Sequence, residues 1–289
     1  LTPFTFERPA SLSDALAALA AGPGTKVLAG GQSLLLALKD RQARPAGLIA
    51  ITGLAELQGV RPAEDGTLAV GPATRYAALA KQVLPGWHAE LAMVAGNLAD
   101  RSVRNMGTVG GGVCQADPRY DMPTLMSGIG ASFILDSVGG RRVLPADAFF
   151  NASGGTHIAA DEILTCISLP ALPAWTCVAF EKFCFRTFEA AIVNVAGAVA
   201  LDLDGRIANL RIAVGGIANA PVRASKVSAK LLGKSMASLD IEDLAAKISQ
   251  EVLPPENALS RRQKYQAELT ISLVKRVLTR LRAGVATHD

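Results

Sequence analysis

A short apolar strand that runs directly into paired glycines and then into a helix limits this chain more than any other feature. Lys26-Val-Leu-Ala29 is the strand, and Gly30-Gly31 follow without a spacer. Helical spacing begins near Ser33, reaches about Arg41 and is closed by Pro45. Leu48-Ile-Ala-Ile51 is the next strand. This order predicts an α/β unit of about 50 residues. Glycine lets a backbone approach a ligand closely and adopt positive φ. The first N–H groups of a helix lack intrahelical partners and carry partial positive charge. Together these features suit phosphate oxygens, although a glycine turn before a helix is often no more than a turn.

A second glycine cluster lies further on. Arg104-Asn-Met-Gly-Thr-Val-Gly-Gly-Gly112 places four of the chain's 27 glycines between positions 107 and 112. Residues 104–117 read as a loop with N–H groups that something must satisfy. Asp117 and Asp121 follow within ten residues. Neither cluster fits G-x-G-x-x-G in a strand–helix setting, nor G-x-x-x-x-G-K-[ST]. Two such loops, roughly 75 residues apart, suit one extended diphosphate gripped from both sides. Valine at both Gly110 and Gly111 is therefore expected to abolish ligand retention in a chain that still folds.

Around these loops the pattern is mixed. Ser11 caps a helix over 11–21, and Gly22-Pro23-Gly24 ends it. A strand over 67–71 precedes a helix over 75–83 capped by Thr74, and residues 88–99 are helical. Strands fall at 131–135, 142–144 and 162–169. Pro170 to Pro173 mark a boundary. Three strands then follow at 177–185, 191–202 and 206–217, predicting an antiparallel sheet. Helices over 224–232, 238–251 and 260–283 complete the chain. In the last of them Tyr265, Leu269, Leu273, Val274, Val277, Leu278 and Leu281 form one apolar stripe, and Gly284 is placed as its C-terminal cap.

Composition removes several classes. The 289 residues are 50% hydrophobic, too apolar for disorder and long enough for two modest domains. The formal charge of +4 is dispersed and not interleaved with aromatics, which disfavours nucleic-acid binding. No apolar run approaches the ~20 residues of a bilayer span. The first residues lack the pattern of a signal peptide, and a cytoplasmic location is expected. Cys114, Cys166, Cys177 and Cys184 form no C-x-x-C and sit far from His88, His157 and His288. They read as reduced thiols, with no metal site in this chain. No nucleophile–histidine–carboxylate constellation is apparent, so no catalytic residue is nominated.

In order and over nearly the whole length, these motifs resemble one family, the flavin-binding medium subunits of the molybdenum hydroxylases. Its members include carbon monoxide, xanthine and nicotine dehydrogenases. The motif A-G-G-x-S stands as Ala29-Gly30-Gly31-Gln32-Ser33, R-N-x-G-T-[IV]-G-G as Arg104 to Gly111, and A-D-P-x-x-D ends at Asp121. Phe4 to Ala15, Phe180-Glu-Lys182, Ala191-Ile-Val and the Tyr265 helix also match.

The resemblance implies an α+β fold. A two-subdomain FAD-binding domain of the vanillyl-alcohol oxidase-like type would span 1–56 and 57–172. A C-terminal α+β domain with a three-stranded antiparallel sheet and helices would span 173–289. It implies that Lys26, Val27, Leu28, Ala29, Gly30, Gly31, Gln32, Ser33 and Leu34 hold FAD, together with Val103, Thr108, Val109, Gly110, Gly111 and Gly112. Asp121 would hold a polar part of the cofactor, with the alternative of capping the helix opened by Pro123. Leu164 and Lys182 would lie near the isoalloxazine, with core packing and a solvated strand position as their alternatives. Many relatives carry Asn where Gly112 stands, so a side-chain contact is either missing or replaced by backbone.

The implied role is electron transfer. A small iron–sulfur subunit with 2Fe-2S clusters and a large molybdopterin subunit would assemble with this chain as a dimer of heterotrimers. Electrons would leave FAD for an external acceptor. A free-standing FAD-dependent oxidase of the same fold and a cofactor-free scaffold are the competing readings.

Overall fold

The computed structural model describes residues 3–171 and 174–286. The division expected between residues 172 and 173 therefore lies outside the described residues. The order of elements produces three sheets.

The first sheet is small and wholly parallel. Its strands are β1 (Thr5–Glu7), β2 (Thr25–Leu28) and β3 (Gly47–Ala50), with β3 in the centre. Thr5 and Thr25 both register with Gly47. Helix α1 (Leu12–Ala21) joins β1 to β2, and α2 (Leu34–Lys39) joins β2 to β3. Ser11 caps α1, its Oγ accepting from the Asp14 N–H at 3.1 Å. Ala15 and Leu19 of α1 pack with Ile49, Ile51 and Leu57.

The second sheet is antiparallel. It contains β4 (Val60–Pro62), β5 (Leu68–Val70), β6 (Ser132–Ser137), β7 (Gly140–Pro145) and β8 (Ile163–Leu169), in the order β4-β5-β8-β6-β7. The helices between β5 and β6 are α3 (Tyr76–Leu79), α4 (Ala89–Gly96), α5 (Arg101–Met106), α6 (Val109–Gln115) and α7 (Asp121–Ile129). The short α8 (Ala146–Phe149) follows β7. Residues 104–117 are therefore mostly helical, not a loop. Thr74 does not cap α3, which begins after Arg75; its Oγ accepts from the Gly59 N–H and donates to the Gly59 carbonyl.

The third sheet is antiparallel and has four strands rather than three. They are β9 (Cys177–Phe183), β10 (Val193–Leu201), β11 (Ile207–Gly215) and the two-residue edge strand β12 (Val222–Arg223). Strand β10 is buried from Val193 to Val199 because helices cover both faces. On one side lies α7, so close that a Cβ on Gly128 would meet Ala196. On the other lies α11 (Arg261–Ala286), after α9 (Ser225–Ala229) and α10 (Ile241–Val252). The predicted stripe on α11 is buried from Leu273 to Leu281, whereas Tyr265 is exposed and Gln266 turns inward to donate to the Gly216 carbonyl at 2.7 Å. Gly284 does not end α11, which runs on to Ala286; a Cβ there would overlap the Cys177 sulfur of β9.

The shared position of α7 ties the molecule together. It belongs to the large core of the second sheet and also packs against β10 and β11. Asn194 of β10 donates to the carbonyls of Arg119 and Tyr120, and Thr124 of α7 donates to its Oδ1 at 2.6 Å. These bonds fix the turn that presents Asp121.

Candidate cofactor site

Where the three sheets meet there is a cavity of about 1050 Å³, at the upper end of the ~300–1,000 Å³ common for ligand sites. Lys26 through Leu34 all line it, as do Val103, Thr108, Gly110, Gly111, Gly112, Asp121, Leu164 and Lys182. Val109 does not. Its side chain is fully buried in the core and its N–H donates to the Thr74 carbonyl at 2.9 Å.

The two glycine clusters touch. A Cβ on Gly30 would overlap the Met106 carbonyl and press on Gly107 Cα, so glycine at 30 seats the first loop against the second. Gly31 has φ +72°, which favours glycine. Among the described residues nothing accepts from the N–H groups of Gly31, Gln32 or Ser33. They are the unused donors of the cavity wall, and a bound anion would satisfy them. Helix α2 has only six residues, so these loop donors matter more than its dipole.

The second cluster behaves differently, and here the expectation of unsatisfied N–H groups fails. Gly110 donates to the Pro72 carbonyl, Gly111 to Thr108 Oγ and Gly112 to the Thr108 carbonyl, at 2.9–3.1 Å. The Gly112 N–H is thus already used within the chain. A Cβ on Gly110 would overlap Pro72, so valine at 110 would disturb the fold and could not test ligand retention alone. On Gly111 it would meet Thr108 Oγ at 2.9 Å and Ala29 Cβ at 3.6 Å.

Asp121 is the first residue of α7 and makes an ion pair of 2.6 Å with Lys182 on β9. Burial pushes the Asp121 carboxyl above its ordinary value, against the opposing pull of the Lys182 ammonium. Lys182 also donates to the Asn97 carbonyl at 3.1 Å. Neither a solvated lysine nor a simple helix cap describes this pair. Leu164 belongs to the large core and also lines the cavity.

Arg104 shapes the opposite wall. It donates to the carbonyls of Leu98 and Ala99, at 2.9 and 2.5 Å, holding Ala99 at φ +46°. Sequence reasoning missed Tyr76, Arg119, Tyr120 and the segment Phe188 to Ala190, all of which line the cavity. Arg119 and Tyr120, inside the Asp117-to-Asp121 motif, carried a signal; Tyr76 and Phe188 to Ala190 carried none. Among the described residues no three His, Cys, Asp or Glu groups gather as a metal site, and no helix is long and apolar enough to cross a membrane.

Comparison with known proteins agrees with this geometry. Residues 2–172 match the family described as the FAD binding domain in molybdopterin dehydrogenase, and residues 179–281 match the CO dehydrogenase flavoprotein C-terminal domain. The glyceraldehyde dehydrogenase medium chain of Sulfolobus acidocaldarius is 33% identical, covering 88% of this chain and 90% of its own. The carbon monoxide dehydrogenase medium chain of Hydrogenophaga pseudoflava is 32% identical over 95% and 96% of the two chains. A structure of carbon monoxide dehydrogenase from that organism superposes with a TM-score of 0.86, covering 98% of this chain and 99% of that one, at 32% identity. Quinoline 2-oxidoreductase from Pseudomonas putida 86 gives 0.83 over 98% of each chain, at 28% identity. The fold and its cavity thus define a flavoprotein subunit of an oxidoreductase. The chain belongs to the family of FAD-binding medium subunits of the molybdenum hydroxylases.

Proposed function

We propose that the cavity holds one FAD, with Lys26 to Leu34 on its diphosphate and Thr108 and Gly110 to Gly112 forming the thin opposing wall. The observation that carries this reading is the set of unused N–H donors at Gly31, Gln32 and Ser33 facing a cavity of about 1050 Å³. Val103 and Leu164 supply apolar wall, and the Asp121–Lys182 pair supplies a fixed dipole. When bound, FAD supplies the redox chemistry, relaying electrons from 2Fe-2S clusters on a small partner subunit to an external acceptor. The large partner would carry the molybdopterin centre and choose the substrate. This chain's residues bind, orient and shield; none is assigned a proton transfer on substrate.

The organisation 1–56, 57–172 and 173–289 follows the three sheets and remains our reading of the domains. A dimer of heterotrimers and a cytoplasmic location are proposed with it. Four free thiols suit a reducing compartment.

The test is spectroscopic. The chain is expressed alone and with its genomic neighbours, and visible spectra are taken. One bound FAD per chain is expected in both, with substrate bleaching the flavin only in the complex. Bleaching of the isolated chain by substrate would replace the subunit reading with the free-standing oxidase. A colourless, folded chain that takes up no FAD would favour the scaffold.

A further inference from the structure

Tyr76 stands out among the cavity residues because its hydroxyl is unspent. The side chain is only 4% exposed and lies against the cavity. No described residue hydrogen-bonds its hydroxyl, although Asp121, Tyr120 and Cys114 are close enough to influence it electrostatically. All three of those neighbours line the same cavity. The phenol ring is fixed by Gly107, where a Cβ would meet Cδ2 and Cε2 at 3.3 Å. Its hydroxyl occupies the space that a side chain at Gly112 would need: a Cβ built on Gly112 would overlap that oxygen directly. Glycine at 112 is therefore the condition for the phenol to reach the wall.

The ring is buried and held in place while no described residue engages its hydroxyl, so a fixed donor on the wall of a ligand cavity points to a bond made with the ligand. We propose that Tyr76 is a cofactor-binding residue that donates a hydrogen bond from its hydroxyl to an oxygen of the bound flavin dinucleotide, and that Gly112 exists to admit it. This rests on the FAD reading above. Burial, with the Asp121 carboxylate next, pushes the phenol's ionisation well above its ordinary value. Tyr76 therefore stays a neutral donor throughout the physiological range. A neutral donor suits this wall, because the buried Asp121–Lys182 pair already balances its own charge.

The experiment uses the full chain, freed of flavin and titrated with FAD, alongside thermal unfolding of the empty chain. Wild-type chain that takes up no FAD would overturn the FAD reading itself, separately from this one. With wild-type binding established, Tyr76→Phe is expected to weaken FAD about tenfold or more, the usual effect of losing a ligand hydrogen bond. The melting temperature of the empty chain should stay unchanged, because the lost hydroxyl had no partner there. Equal affinity in Tyr76→Phe, or an equal loss of stability in its empty form, would overturn the proposal.

A second arm uses Gly112→Ala in both backgrounds. It is expected to lower affinity and melting temperature when Tyr76 is present and to add little in Tyr76→Phe, where the nearest ring carbon would lie at 3.3 Å. The same cost in both backgrounds would show that Gly112 serves something other than the phenol.

Discussion

The two glycine clusters have similar composition and opposite physics. In the first, glycine sets a left-handed turn at Gly31 and leaves neighbouring N–H groups unused beside the cavity. In the second, the N–H groups of Val109 to Gly112 are all consumed within the chain, and glycine serves closeness. Gly110 abuts Pro72, and Gly112 abuts the Tyr76 hydroxyl. One cluster offers donors; the other offers thinness. A run of glycines near a ligand is therefore no proof that its backbone binds the ligand.

The largest effect expected from this contrast is at Gly110. Gly110→Val forces two methyl groups and a Cβ onto Pro72, an overpacking that costs about 3 kcal/mol. Thermal unfolding of the empty chain should show the whole loss. If the empty chain is as stable as wild type and only FAD binding suffers, the second cluster is a donor loop after all.

Gly31→Ala should behave in the reverse manner. A side chain at φ +72° is strained by roughly 1–2 kcal/mol. An empty loop can relax that strain by turning its N–H groups away. The expected outcome is about a tenfold loss of FAD affinity with little change in the melting temperature of the empty chain. Unchanged affinity would remove the first loop from the cofactor.

The smallest effect serves as a control remote from both loops. Asp136 accepts from Arg141 at 2.7 and 3.0 Å and from Thr165 at 2.5 Å. Those bonds, Arg141's first, hold its carboxyl below the ordinary value despite some opposing desolvation. The resulting stability is present above the ordinary carboxylate pKa near 3.8 and is lost as pH falls through the lowered folded value. Asp136→Asn should flatten the acid decline of the melting temperature, by the same amount in empty and FAD-loaded chain. A difference between the two states would mean that the second sheet senses the cavity.

Much of this was legible from residue order. The strand running into Gly30-Gly31, the Ser11 cap and the α11 stripe all follow from local pattern, and local pattern is what sequence displays. Helix α6 was not legible, because Gly110, Gly111 and Gly112 have poor helix propensity. Its first turn is held instead by carbonyls of Pro72 and Thr74, more than 30 positions away. Strand β1 has three exposed residues and no alternation, so its pairing with β3 leaves no mark in the sequence. Gly284 looked like a stop signal, whereas its role is to let α11 approach Cys177. Tyr76 had no motif at all; the neighbour that gives it meaning is a residue 36 positions on, at Gly112.

The seam at Gly30 has a consequence for supply. Because that residue rests on Met106 and Gly107, neither loop is a finished wall until distant parts of the chain have closed together. A ligand that binds the folded wall and not the unfolded chain stabilises the fold that builds it. By mass action, free FAD at a thousand times its dissociation constant would add about 4 kcal/mol to the folded chain. A chain without FAD would forgo that stabilisation, so the cofactor would act on the fold of this subunit as well as on its redox chemistry.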